Sequence, residues 1–89
     1  MTHKLKILPK YFDQVWDRKK NFEIRKNDRN FNLGDKVILF EHDGKKYLNR
    51  GIAATITCVL KDCPEYGLKN GYAILGLNNE YKQLKPVKQ

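Results

Sequence analysis

The apolar residues of this chain change their spacing from two to helical once, near the start, and then return to two. In "HKLKIL", Leu5 and Ile7 fall on one face and Lys4, Lys6 and Leu8 on the other, which predicts a short half-buried strand. Pro9 then suits the first turn of a helix, where its missing N–H costs nothing. Phe12, Val15 and Trp16 follow at helical spacing, so a helix is expected from Pro9 to Lys19, with Lys19 and Lys20 at its negative pole. Period two resumes at "NFEIRK". Further strands are expected at Val37 to Phe40, from near Tyr47 to Leu60, at Tyr72 to Leu77, and in a short closing piece around Tyr81 to Leu84. One helix cannot cover both faces of a parallel sheet, so a doubly wound fold is excluded. The pattern predicts an α+β, mainly β fold: a small, mostly antiparallel barrel of five to six strands covered by one principal helix.

The connections carry turn chemistry. Asp43-Gly44 suits a type I′ hairpin turn, and Arg50-Gly51 marks a bulge or kink. Pro64, Gly67 and Asn70-Gly71 break the segment after Lys61 into a loop. Ile52, Ala54, Ile56, Cys58 and Leu60 are expected to line one face of their strand. The predicted core is Phe12, Val15, Trp16, Phe22, Ile24, Val37, Leu39, Ile56 and Leu75.

With 89 residues, a single domain spanning 1–89 is expected. Hydrophobic residues at 40% and charged residues at 31% suit a folded domain rather than a disordered one. A net charge of +8 favours anionic partners, nucleic acid first and a nucleotide-like small anion second. No apolar run is long enough to span a bilayer, and "MTHKLKILPKYF" has no signal-peptide core, so a cytoplasmic protein without membrane contact is expected. Cys58 and Cys63 are too few for a disulfide framework, and Cys58 fits a strand core as a small hydrophobe. His3 and His42 stand apart in sequence, so no metal site and no cofactor are expected.

The segment "KKNFEIRKNDRNF", Lys19 to Phe31, holds seven ionisable residues in thirteen, yet Phe22, Ile24 and Phe31 punctuate it like core positions. By period two, Phe22 and Ile24 share one face and are expected to anchor the strand. Glu23 and Arg25 share the other, roughly 7 Å apart. Arg25 offers a planar fork for phosphate, carboxylate or a base edge. Glu23 with Lys20 or Arg25 also reads as a plain surface salt bridge of little worth, and Asp28 as the cap of the following turn. Tyr66, Tyr72 and Tyr81 lie near strand or loop ends, where a tyrosine can stack a base. Trp16 reads as core. Lys4, Lys6 and Lys10 extend a basic stripe.

The run "HKLKILPKYFDQVWDRKKNFEIRKNDRNFNLGDKVILFEHD", with "CPEYGLKNGYAILGL" further on, resembles the DUF3850 family of phage and bacterial proteins, within the ASCH group of the PUA-like superfamily. The resemblance implies a PUA-like barrel with its helix beside a cleft. It also implies the ASCH signature G-x-K-x-x-E-x-R, here Lys20, Glu23 and Arg25, with Arg18 at the glycine position. Glycine there would end the helix in a left-handed conformation, so Arg18 suggests a longer helix or a different turn. The cleft would then join Lys20, Glu23 and Arg25, with Asn27, Asp28 and Arg29 at its rim and Lys6 and Tyr72 as further ligand contacts.

The leading expectation is a nucleic-acid-binding module, for RNA ahead of DNA, with a basic, mixed-charge cleft. An amidohydrolase acting on an N4-acylated cytidine is the alternative, because the resemblance extends to enzymes with a lysine at the position of Lys20. Those enzymes carry a threonine where this chain has Glu23, and the later Glu41 and Glu65 match no motif. Lys20 and Glu23 would be the catalytic pair if the chain is an enzyme. A phage protein that binds a host protein is a third possibility, and nothing in the residues argues for it specifically.

Overall fold

The computed structural model describes residues 1–78 and 82–84. Along the chain run β1 (Thr2–Ile7), α1 (Pro9–Trp16), β2 (Phe22–Lys26), β3 (Lys36–His42), β4 (Tyr47–Lys61), a 3-10 turn (Pro64–Tyr66), β5 (Tyr72–Leu77) and β6 (Lys82–Leu84). The expected order, one helix inserted after the first strand, is therefore present. Tyr81, at the start of the expected closing strand, lies outside the described residues. No described helix is long and apolar enough to cross a membrane.

The strands form one mainly antiparallel sheet in the order β1-β3-β4-β5-β2, with β6 paired to β4. Among the described strands only β1 and β3 run parallel, with Leu5 opposite Leu39. The sheet is not closed into the expected barrel: β1 and β2 end it without pairing to each other among the described residues. What replaces that pairing is a set of side-chain contacts, described with the site below.

Alternation sets the core. His3, Leu5 and Ile7 of β1, Val37 and Leu39 of β3, Ile52, Ala54 and Ile56 of β4, and Ala73, Leu75 and Leu77 of β5 are buried. Phe12 and Val15 seal the core from α1, and each such side chain contributes roughly 1.5–3 kcal/mol on leaving water. Trp16 is only half-buried. It leans on Phe12, with ring centroids 5.7 Å apart, and on the edge of the core. Phe31, beyond β2, is also buried, as its sequence context suggests.

The helix ends at Trp16, earlier than expected. Arg18 takes the left-handed conformation, at φ 61°, that a glycine would favour. Its N–H donates to Val15 O at 3.0 Å and the Lys19 N–H to Gln14 O at 2.9 Å. This is a Schellman closure, which satisfies the last helical carbonyls and turns the chain directly into β2. Gln83 Nε2 adds a side-chain donor to Trp16 O at 2.6 Å.

Two irregularities bend β4. Between the pairs Phe40–Gly51 and His42–Tyr47, Glu41 of β3 faces three residues of β4, which places the kink beside Arg50-Gly51 as the sequence suggests. Arg50 uses it to grip Glu41 through Nε and Nη2, both at 3.0 Å, and Asp13 of α1 at 2.5 Å. These carboxylates push the Arg50 guanidinium above its ordinary pKa, the hydrogen bonds to Glu41 contributing most. Its guanidinium carbon also lies 4.9 Å from the Phe12 ring centroid and 5.0 Å from that of Trp16.

The second irregularity is a bulge between Ile56 and Cys58, with Thr57 as the extra residue. It reverses the in–out parity of β4. Cys58 and Leu60 are therefore exposed, contrary to the single face expected from Ile52 to Leu60, and Val59 packs on the core instead. Cys63, beyond the strand, is the buried cysteine. Gly76 suits the bulge, since a Cβ there would meet Cys58 Cβ and Thr57 Oγ1 at 3.1 Å each and one of them would have to shift by a few tenths of an ångström.

The β3–β4 connection is a four-residue loop, not the two-residue turn expected. Asp43 Oδ1 accepts the N–H groups of Lys45 at 2.8 Å and Lys46 at 2.9 Å, and Gly44 alone has positive φ there. Self-capping by the aspartate outcompetes the type I′ geometry. At the other end of β3, the buried His3 Nε2 pairs with Asp35 Oδ2 at 2.8 Å. That contact is the main cause holding the Asp35 carboxyl below its ordinary pKa.

Candidate functional site

The strand β2 pairs with β5 such that Glu23 lies opposite Leu75 and Arg25 opposite Ala73. Directly opposed residues share a face, and Leu75 and Ala73 are fully buried. Glu23 and Arg25 therefore point inward. Phe22 and Ile24, expected in the core, point outward and are 41% and 54% exposed. The expected alternation is present, with its two faces exchanged. The exchange is tolerated because Glu23 arrives with two cations already beside it, which offsets the cost of burying a carboxylate.

Glu23 is buried, its side chain only 5% exposed. Oε1 accepts from Lys20 Nζ, and Oε2 accepts from Arg25 Nε at 3.1 Å. Lys20 reaches it from the segment that follows the Schellman turn. Its ammonium also stands 5.6 Å from the Tyr11 ring centroid and 5.2 Å from that of Phe22. Arg25 continues past Glu23 and donates through Nη2 to the Lys6 carbonyl of β1.

That last contact belongs to a pattern. The edge of β1 facing β2 presents carbonyls that no strand pairs. Arg25 takes the one at Lys6, and Arg29 Nη1 takes the one at Lys4 at 2.7 Å. Two guanidinium groups thus span the gap between the terminal strands where backbone hydrogen bonds would otherwise run.

Two grooves flank the Arg25 bridge. The first, of about 780 Å³, runs between the β1–α1 junction and β2. Leu8, Tyr11, Phe22 and Ile24 supply apolar wall, while Lys6, Lys20, Glu23 and Arg25 supply the polar groups. An apolar cavity of a few hundred cubic ångströms with a few convergent polar groups is the usual form of a small-ligand site. The second, of about 620 Å³, is lined by Lys4, Leu5, Lys6, Arg25, Arg29, Phe40 and Tyr47.

Of the residues singled out in the sequence, Lys6, Lys20, Glu23 and Arg25 meet in the first groove, and Lys6, Arg25 and Arg29 in the second. Asn27, Asp28 and Tyr72 line neither. Asn27 continues the β2–β5 ladder through its N–H to Gly71 O at 2.8 Å, and its buried Oδ1 has no hydrogen-bond partner among the described residues. Asp28 is exposed and pairs loosely with Arg29 at 3.8 Å. Tyr72 sits on β5 opposite Lys26, with the Lys69 ammonium 5.9 Å from its ring. β2 ends at Lys26, so Asn27 and Asp28 lie beyond the strand, and Arg29 alone of that segment reaches back to the second groove.

Tyr11, Phe40 and Tyr47 went unread as site residues. Tyr11 carried a usable signal, being an aromatic just off the apolar stripe of α1. Phe40 and Tyr47 carried none, because the β1–β3 pairing sets Phe40 opposite Lys6 and the β3–β4 fold-back brings Tyr47 beside it. Glu41 is committed to Arg50, and Glu65 lies on the exposed 3-10 turn, so neither enters a groove. Among the described residues, no group of three or more His, Cys, Asp or Glu is placed to hold a metal ion.

A family model described as "Domain of unknown function (DUF3850)" matches residues 2–77. The chain is also similar to an uncharacterized 12.9 kDa protein in the GpA 3′ region of Escherichia phage P2, with 44% identity over 57 residues. That match covers 64% of this chain and 52% of the phage protein, so it spans about half the length of that relative.

Proposed function

We propose that this chain, which belongs to the DUF3850 family, is an RNA-binding module of the ASCH, PUA-like kind that holds a single-stranded base in the groove of Lys20, Glu23 and Arg25. The observation that carries the reading is the burial of Glu23 between two cations at an apolar-walled groove. A carboxylate is rarely taken out of water for stability alone, since a well-packed apolar group does as well or better. The triad keeps spare hydrogen-bonding capacity. Glu23 has further lone pairs, Lys20 further protons, and Arg25 its Nη1 donors. Together they present donors and an acceptor to the edge of an unstacked base, while Tyr11 and Phe22 offer aromatic surface. The net charge of +8 supplies long-range attraction to phosphate. The two arginines that join β1 to β2, the strands at the ends of the sheet, favour the PUA-like reading.

Binding of a short single-stranded RNA, followed by fluorescence anisotropy across salt concentrations, tests this. Affinity should fall steeply between about 50 and 200 mM salt as condensed counterions cease to be a driving force. Absence of binding at the lower salt, or an affinity indifferent to salt, overturns it.

A further inference from the structure

We infer that the second groove is a subsite for the neighbouring nucleotide, so that the two grooves together hold a base–phosphate–base step of single-stranded RNA. This rests on the RNA-binding reading of the first groove and extends it.

The second groove has a different chemistry from the first. Its charged lining residues are Lys4, Lys6, Arg25 and Arg29, with no carboxylate among them. Glu23, 3.1 Å from Arg25 Nε, and Asp28, 3.8 Å from Arg29 Nε, both lie outside the lining. Such a lining attracts a phosphate and offers little to a cation or a neutral sugar. Arg25 and Arg29 are held in place by the β1 carbonyls, so their remaining N–H donors are already oriented.

The groove also has an aromatic wall. Tyr47 is 58% exposed, yet its ring is fixed edge-on by Phe40 at 6.1 Å and by His42 at 4.7 Å. Lys6 Nζ stands 5.6 Å from the same ring. A held, exposed aromatic beside cations is the arrangement that stacks a base while its phosphate is neutralised.

The grooves are joined. Lys6 and Arg25 line both, at the bridge between β1 and β2. A phosphate over Lys6 and Arg25 leaves one base for the Tyr11 side and the next for Tyr47. One nucleotide fills one groove; a dinucleotide is needed to use both.

The test compares a nucleoside monophosphate with a dinucleoside monophosphate on the parent protein and on Tyr47→Ala, Tyr47→Phe and Lys4→Ala, with thermal melts confirming that each variant is folded. The parent should bind the dinucleotide more tightly. Tyr47→Ala should lower dinucleotide affinity about tenfold or more, the usual worth of base–aromatic stacking, and leave mononucleotide affinity unchanged. Tyr47→Phe should retain the advantage, and Lys4→Ala should reduce it. If the dinucleotide binds no better than the mononucleotide, or Tyr47→Ala weakens both alike, the second subsite is overturned while RNA binding at Lys20 and Arg25 stands. If the parent binds neither, and no longer single-stranded RNA at low salt, the RNA-binding reading falls and takes this one with it.

Discussion

Glu23 and Leu75 face each other across the β2–β5 ladder and share its buried side. One is a carboxylate and the other a core leucine. The pairing turns a run of charges that reads as a surface strand into the inner wall of a groove, and it changes what mutation of those charges should do.

Removing Glu23 leaves Lys20 and Arg25 against apolar surface without their acceptor. Glu23→Ala should therefore destabilise the fold by about 1.5–3 kcal/mol, the range for hydrogen bonds to charged groups. A surface salt bridge would cost far less. Urea denaturation measures this, and a change below about 0.5 kcal/mol would return the triad to ordinary surface charge.

Lys20→Ala and Arg25→Ala should not add in RNA binding, because both act on one ligand through one carboxylate. Coupling of about 0.5–3 kcal/mol is expected from the double-mutant cycle. The same variants probe chemistry. Lys20 is engaged in an ion pair with the Glu23 carboxylate, an arrangement suited to holding charge rather than to attack on an acyl group. An N4-acylated cytidine incubated with the parent protein should stay intact; turnover that Lys20→Ala abolishes would favour the amidohydrolase instead.

Arg50 ties α1 to the β3–β4 kink through Asp13 and Glu41. Arg50→Ala should cost about 2–4 kcal/mol, since Glu41 is left buried without its partner. RNA affinity, measured where the variant remains folded, should change little. A large loss of affinity would mean that the clamp also shapes the groove.

Arg18 pays for its left-handed backbone. Arg18→Gly should raise stability by on the order of 1 kcal/mol, the usual penalty for a side chain in that conformation. A fall in the melting temperature would show that the arginine side chain contributes more than its backbone costs.

Acid should unfold the protein in part through Asp35. Its folded pKa lies below the ordinary 3.8, chiefly because of His3. The carboxylate therefore contributes stability above about 3.8, and that contribution is lost as pH falls through the folded value. Asp43, held down by the Lys46 and Lys45 N–H groups, acts in the same direction. Stability measured between pH 6 and pH 2 should drop at the acid end for the parent, and Asp35→Asn should flatten that drop. An unchanged slope would place the acid sensitivity elsewhere.

Local spacing along the chain is enough to give the elements and most of the core. Alternation and helical spacing are local, so β1, α1, β3, β4 and β5 could be read from neighbouring residues, and Phe12, Val15, Val37, Leu39, Ile56 and Leu75 are buried as their spacing requires. The Lys20, Glu23 and Arg25 cluster was legible through a resemblance, and Lys6 through the basic stripe of β1. Which way β2 faces depends on its partners in the folded sheet. Period two states which residues share a side, not which side is inside, and hydrophobicity pointed to Phe22 and Ile24. The β5 register and two cations supplied from Lys20 and Arg25 made Glu23 the inward residue. In the same way, the Thr57 bulge exchanged the faces of β4, because one extra residue reverses a period of two. Tyr47 reached Lys6 only when the β3–β4 hairpin folded back, across a sequence separation that no local pattern records.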